Sequence, residues 1–210
     1  MSRAGALISF SGLDGAGKTT QARGLGRWLA GLGLVTTVLA PDGPSAARRA
    51  LGAMARQAGL ADHLDVLGPD ETHLVTAFLR YRDWDEHVVP ALARPGFVVT
   101  DRCAVCHYAA AAAVGATNEP VLRQVLGLMP VPDLVIYLDL APQQAYARLH
   151  ERGVGTEELA FLAANDAAYR AAPEFAGFVV LDGGAGVDEV AASVRAAVAA
   201  RWPVVRAAAG

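Results

Sequence analysis

Apolar and polar positions follow two rhythms along this chain. Residues 6–11 (Ala-Leu-Ile-Ser-Phe-Ser) form a short apolar run ended by Gly12, the mark of a buried strand. Over 19–32, Ala22, Leu25, Trp28, Leu29 and Leu32 recur at helical spacing, and the pattern stops at Gly31 and Gly33. A second strand is predicted over 34–39. The breakers Pro41-Asp42-Gly43-Pro44 end it, and Ser45 is placed to cap a helix reaching about residue 58. A long helix is predicted over 69–92, opened by Asp70 and Glu71, then a third strand over 97–100 that stops at Asp101. Helices follow over 104–114 and 119–128, a fourth strand over 134–140, and helices over 142–152 and 157–171. A fifth strand over 178–181 and a helix over 187–200 close the series. This alternation predicts an α/β fold, a five-stranded, mainly parallel sheet with helices on both faces. The Ala-rich run 109–113 reads as helix, because alanine is the best helix former. With no internal repeat and no long polar linker, one domain over 1–210 is expected.

Composition narrows the function classes. The 210 residues are 53% hydrophobic and 19% charged, which suits a packed core and not a disordered chain. A net charge of −3 gives no basic field of the kind nucleic acid requires, so no nucleic-acid partner is expected. No apolar run reaches the roughly 18 residues that span a bilayer, and residues 1–10 lack the pattern of a signal peptide. A cytoplasmic protein without a membrane partner is the expectation. The two cysteines, Cys103 and Cys106, are spaced Cys-x-x-Cys. That spacing admits a redox pair, but two small, semi-buried residues at a strand-to-helix junction are the plainer reading.

Chemistry enters at Gly12-Leu-Asp-Gly-Ala-Gly17-Lys18-Thr19, a complete G-x-x-x-x-G-K-S/T sequence between a predicted strand and a predicted helix. Such a loop wraps backbone N–H groups around phosphate oxygens and identifies a P-loop NTPase fold. Gly12, Asp14, Gly15, Ala16, Gly17, Lys18, Thr19 and Thr20 are the expected ATP contacts, with Lys18 on the β- and γ-phosphates and the Thr19 hydroxyl on Mg2+. Of the chain's 18 basic residues, only Lys18 is lysine. A chain that otherwise uses arginine keeps its one compact ammonium where a phosphate loop needs it. Strand 97–100 delivers Asp101 and Arg102 to its carboxyl end, where ligands lie in open α/β sheets. There Asp101 is a candidate for Mg2+ or its water, and Arg102 for a phosphate clamp.

Four segments in order then resemble the thymidylate kinase family. They are the loop with its Leu-Asp-Gly and following Thr-Gln21, Arg80 ahead of His87-Val-Val-Pro90-Ala-Leu92, Val98-Val-Thr-Asp101-Arg102, and Pro132-Asp-Leu-Val-Ile-Tyr-Leu-Asp139-Leu. The resemblance implies transfer of the ATP γ-phosphoryl group to the 5′-phosphate of a deoxynucleotide, dTMP by default, in a homodimer. It implies that Asp14 approaches the acceptor sugar and the metal, that Arg80 meets the acceptor nucleotide, and that Arg102 holds the acceptor phosphate. It also implies a short lid over about 148–160 in which Arg148 and Arg152 bring positive charge to ATP.

Departures from the family pattern cluster on the acceptor side. Ser11 stands where the family has glutamate, Leu39-Ala40-Pro41 lacks the usual arginine, and Arg48 or Arg49 is left to substitute. Thr76 replaces the phenylalanine that stacks on thymine, and Phe78, two positions on, points about 200° away on a helix. Cys103 and Cys106-His107-Tyr108 replace the family's tyrosine and serine, which makes Cys106, His107 and Tyr108 candidate acceptor contacts. A lost stacking aromatic is worth about 1–3 kcal/mol. Two alternatives therefore stay open. One is a kinase of this fold acting on a modified pyrimidine nucleotide, a nucleoside or another small metabolite. The other is a non-catalytic nucleotide-binding regulator. The Ala109-to-Val114 stretch is the candidate dimer face.

Overall fold

The computed structural model describes residues 3–40, 43–153 and 158–209. β1 (Gly5–Ser11) leads through the phosphate loop into α1 (Lys18–Gly31) and β2 (Thr36–Leu39). α2 (Gly43–Ala58), α3 (Leu64–Leu67) and α4 (Pro69–Asp83) follow, then a π-helical turn over Trp84–Val88 and α5 (Val89–Leu92). β3 (Gly96–Thr100) precedes α6 (Ala104–Ala113) and α7 (Glu119–Leu126). β4 (Leu134–Asp139) precedes α8 (Pro142–Glu151), α9 (Leu159–Ala171) and a 3-10 turn over Pro173–Gly177. β5 (Val179–Asp182), α10 (Val187–Arg201) and α11 (Pro203–Ala209) complete the chain.

The five strands form one sheet in the order β2-β3-β1-β4-β5, and every pairing is parallel. The expected P-loop α/β architecture is therefore present, and the sheet is wholly parallel. Strand β1 shows why both faces must be covered. Ile8 and Phe10 point into a core built with Leu25 and Leu29 of α1 and Val190, Val194 and Val198 of α10. Leu7 points into a second core with Trp84, Leu122 and Tyr169 on the opposite face. Full burial of each such side chain contributes about 1.5–3 kcal/mol. In a parallel sheet all the carboxyl ends share one edge, so the segments following β1 and β3 meet there.

Three local features differ from the sequence expectations. α2 begins at Gly43, so Ser45 lies inside the helix and does not cap it. The Gly43 N–H is held instead by the Asp83 carboxylate of α4, 3.0 Å away, a cap supplied by tertiary structure. The helix predicted over 69–92 is interrupted by the π-turn, where the Val89 N–H reaches back five residues to the Trp84 carbonyl. Pro90 has no N–H, and its ring crowds the preceding turn, which favours the wider winding. Finally, α6 packs on α9, and Ala109 and Ala111 are buried within the chain. That burial takes Ala109 and Ala111 out of the expected dimer face over 109–114, of which Ala112 is exposed. Instead, α4 carries the partly exposed apolar residues Leu74, Val75 and Phe78.

Among the described residues, no helix is long and apolar enough to cross a membrane.

Candidate active site

The phosphate loop is anchored by its apolar residues and shaped by its glycines. Leu13 and Ala16 are buried in the core under the sheet edge. Gly12 has φ +133°, and a Cβ there would lie 2.6 Å from the Leu138 carbonyl oxygen. Gly15 has φ +89°, and its Cβ would lie 2.8 Å from the Ala145 carbonyl oxygen. Both positions need glycine on conformation and on space. The loop delivers the start of α1, which has no side-chain cap and no acidic residue in its first turn. The positive end of the helix and its first N–H groups are thus left to an anion. Thr20 stands exposed in that first turn.

Lys18 is buried, and its Nζ donates to the carbonyl oxygens of Gly12 (3.0 Å) and Leu13 (2.8 Å) and to Asp14 Oδ1 (3.1 Å). Arg102 Nη2 donates to the same Asp14 Oδ1 at 2.5 Å. One carboxylate therefore bridges two cations from different elements. Burial alone would raise the Asp14 carboxyl, but the charges and hydrogen bonds of Arg102 and Lys18 hold it well below the usual carboxylate range. Asp14 in turn raises the Arg102 pKa against the effect of burial, whereas burial lowers that of Lys18 despite Asp14. The turn carrying Arg102 is fixed from the sheet. Ser9 and Thr100 share a 2.6 Å hydrogen bond, and the Thr100 hydroxyl donates to the Arg102 carbonyl at 3.2 Å. Next to the loop, the Thr19 hydroxyl donates to Asp101 Oδ2 at 3.0 Å. The two residues expected to serve the metal are thus in contact.

A cavity of about 260 Å³ opens from this charged seam. The expected acceptor residues Asp14, Arg80, Arg102, Cys106 and His107 all line it. Arg80 is buried, and its Nε donates to His107 Nε2 at 3.2 Å. His107 therefore accepts through Nε2 and carries its proton on Nδ1. Burial first, and then Arg80, Arg48 and Arg102, push its pKa well below the ordinary value, so the ring stays neutral. Thr72, Thr76 and Arg80 recur every four residues on α4 and place one helix face along the cavity. Cys103 and Cys106 are free and buried, and each sulfur lies 3.3 Å from the Ser11 hydroxyl. The Cys103 N–H donates to Cys106 Sγ at 3.4 Å, so the pair closes the first turn of α6.

Other expectations fall elsewhere. Phe78 is 58% exposed on α4, away from the cavity, and does not replace the missing stack at Thr76. Tyr108 packs under the Arg123 guanidinium, 4.3 Å from ring centroid to charge, and takes no part in the cavity. Arg48, and not Arg49, is the α2 arginine on the cavity wall. Arg148 donates from Nη1 to the Gly183 carbonyl at 3.0 Å, which turns it toward the loop after β5. Arg152 is exposed at the end of α8. Neither arginine lines the cavity, and the centre of the expected lid, residues 154–157, lies outside the described residues.

Sequence reasoning missed His73, Thr72, Phe161 and Asn165, which also line the cavity. Burial, Arg48 and His63 lower the His73 pKa to about 4. The Thr72 hydroxyl oxygen and Asn165 Oδ1 are buried with no hydrogen-bond partner among the described residues. The i, i+4 spacing of Thr72, Thr76 and Arg80 was the one available signal. Phe161 and Asn165 had none, because α9 is far from the motifs in sequence.

The thymidylate kinase family model matches residues 10–194. A thymidylate kinase of Akkermansia muciniphila is 34% identical over 209 residues, which cover 97% of this chain and 96% of that protein. Thymidylate kinases of Xanthomonas campestris pv. campestris (strain B100) and Xanthomonas oryzae pv. oryzae (strain PXO99A) are 34% and 36% identical over 151 and 155 residues. Each of these two matches covers 71% of this chain and 62% of the Xanthomonas protein.

Proposed function

The chain belongs to the thymidylate kinase family, and from that premise we propose that it transfers the γ-phosphoryl group of Mg·ATP to dTMP, giving dTDP and ADP. The observation that carries this reading is the seam at Asp14. Lys18, the donor-side cation, and Arg102, the acceptor-side cation, meet there on one carboxylate between phosphate loop and cavity. Phosphoryl transfer asks for this arrangement, since two anions must be brought together with their charge neutralised and water kept out.

Each residue then has a defined task. The phosphate loop and the first turn of α1 hold the ATP phosphates through backbone N–H groups, with Lys18 on the β- and γ-oxygens. Arg102 and Arg80 receive the acceptor phosphate and the nucleotide beside it. His107 presents its Nδ1–H as a neutral donor, matched to a base carbonyl. Arg148 and Arg152 stand at the end of α8, from which a lid would bring them to ATP.

The hydroxyl and carboxylate oxygens of Thr19 and Asp101 fit Mg2+, a hard cation that prefers oxygen ligands. Among the described residues, no three His, Cys, Asp or Glu side chains gather as a metal site. That suits an ion that takes most of its ligands from phosphates and water. When bound, the ion neutralises charge on the phosphoryl group in transit.

The exposed Leu74, Val75 and Phe78 give α4 an apolar face suited to the homodimer that the family implies. Light scattering of the parent and of Phe78→Glu tests this, with a dimer dissociated by the substitution as the expected result.

ADP release from Mg·ATP, measured with dTMP, dUMP, dCMP, ribonucleoside monophosphates, 5-substituted analogues and free nucleosides, tests the activity. Preference for dTMP is expected. Silence across the panel with ATP binding intact would replace this reading with a kinase for an acceptor outside the panel or a non-catalytic nucleotide switch.

A further inference from the structure

Phosphoryl transfer leaves two thiols beside the acceptor cavity without a task. Of the pair, Cys106 lines the cavity, and Cys103 is buried in the core next to it. Both stand at the start of α6, where the Cys106 N–H donates to the Cys103 carbonyl at 3.2 Å. Their side chains are hydrogen-bonded to each other, and each sulfur lies 3.3 Å from the Ser11 hydroxyl. Two thiols held in contact on one helical turn can close to a disulfide without unfolding the elements around them.

The surroundings of Cys106 differ from those of an inert buried cysteine. Apolar burial keeps a thiol protonated, and the protonated form is a poor nucleophile. Here the sulfur faces hydrogen-bonding groups on several sides: the Cys103 N–H at 3.4 Å, the Ser11 hydroxyl at 3.3 Å and the Tyr169 side chain. The Arg102 guanidinium and the positive end of α6 add charge of the sign that favours a thiolate. The Cys103 side chain first, then Arg102, Ser11 and Tyr169, hold the Cys106 thiol well below its ordinary range against the opposing effect of burial. Passing a phosphoryl group from ATP to a phosphate makes no use of a thiolate, and a serine would supply similar hydrogen bonds. A nucleophilic sulfur on a cavity wall with a second thiol in contact is suited to sensing oxidants.

We propose that Cys106 and Cys103 form a redox switch: hydrogen peroxide entering the cavity oxidises Cys106, a disulfide closes with Cys103, and phosphoryl transfer slows. The Cys106 sulfur attacks one peroxide oxygen, the O–O bond breaks, and the departing hydroxide takes a proton to become water. Cys106 is then a sulfenic acid. The Cys103 sulfur attacks the Cys106 sulfur, the S–O bond breaks, and the hydroxyl leaves as water with the Cys103 proton. The two thiols together lose two electrons, and the peroxide gains them as it becomes two waters. A dithiol reductant reverses the bond. The effect on rate comes from what adjoins the pair. Cys103 follows Arg102, the acceptor-phosphate clamp, and Ser11 precedes Gly12 of the phosphate loop. Closing the disulfide draws both sulfurs out of their contacts with Ser11 and takes the thiolate from beside Arg102. A displacement on the order of 1 Å in such a clamp costs up to about 10²-fold in rate. The effect on rate rests on the assigned activity, whereas formation of the disulfide does not.

The test treats the reduced full chain with hydrogen peroxide and removes the excess with catalase. Free thiols are counted in denaturant, the intact mass is taken without reductant, and ADP release is measured with Mg·ATP and dTMP. Both thiols should disappear in step with a fall in kcat of about tenfold or more, and dithiothreitol should restore thiols and rate together. Cys103→Ser should start within a few-fold of the parent rate. After peroxide it should carry a sulfenic acid at Cys106, trapped by dimedone, in place of the disulfide. Cys103→Ala repeats the measurement if the serine variant melts lower. Thiols that survive peroxide, a disulfide that leaves the rate unchanged, or a Cys103→Ser chain that takes up no dimedone would overturn the proposal. A reduced parent that does not turn over dTMP would refute the assigned activity, and the switch with it, whatever the thiol count.

Discussion

Replacing Asp14 with asparagine removes the one negative charge between Lys18 and Arg102 and leaves a side chain of the same shape. The carboxylate is 30% exposed, whereas Lys18 is 6% exposed and Arg102 26%. Breaking a buried ion pair by deleting one partner costs about 3–5 kcal/mol, because the remaining charge stays desolvated. Partial exposure of Asp14 lowers that figure, and the presence of two stranded cations raises it, so about 2–4 kcal/mol is expected. For a chain of this length, that corresponds to a fall in Tm on the order of 10 °C. The pH dependence gives an independent check. The folded-state pKa of Asp14 is depressed below its unfolded value, so its stabilisation is complete above the unfolded pKa and is lost as pH falls through the folded one. The difference in Tm between parent and Asp14→Asn should therefore be constant from about pH 5 to 8 and shrink only below about pH 4. Calorimetric melting across that range measures both effects. An unchanged Tm at neutral pH would show that the bridge between the two cations does not exist in solution.

Three further outcomes are expected. Lys18→Ala should lower kcat by about 10²-fold or more while the fold is kept, because Arg102 still pairs with Asp14, and turnover within tenfold of the parent would remove the phosphate-loop assignment. Changing Cys103 and Cys106 together to serine should leave the rate within a few-fold under reducing conditions, because serine keeps a small hydrogen-bonding group beside Ser11 at both positions, including Cys106 on the cavity wall. Loss of parent activity under mild oxidation, spared in that double variant, would mark the pair as redox-active. His73, with a folded pKa of about 4 against 6.5 unfolded, binds fewer protons folded than unfolded, so its effect is to lower stability as pH falls from about 6.5 toward 4. His73→Gln should flatten the Tm profile across that window, and an unchanged slope would show that the imidazole is not buried in solution.

Much of this protein was determined by local sequence. The strand, the glycines and Lys18 specify a phosphate loop because each step is a constraint on a few neighbouring residues: Gly12 and Gly15 for backbone conformation, Lys18 for charge, the following helix for its dipole. The alternation of apolar runs and helical stripes likewise determined a parallel sheet with two covered faces, since run length and flanking breakers separate the short buried strands from the helices. Arg80 and Arg102 were legible because they stand in motifs. Contacts between residues far apart in the chain decided the rest. Ser45 looked like a cap, but Asp83, distant in sequence, holds the start of α2. The Ala-rich helix looked like an interface, but Ala109 and Ala111 are buried where α6 packs on α9. Arg80 fixes the proton of His107 only because α4 and α6 lie side by side, and Asn165 joins the cavity only because α9 packs across α6. Sequence patterns carry local backbone preference and polarity; which polar group meets which is settled by packing, and that is where the acceptor side of this site was decided.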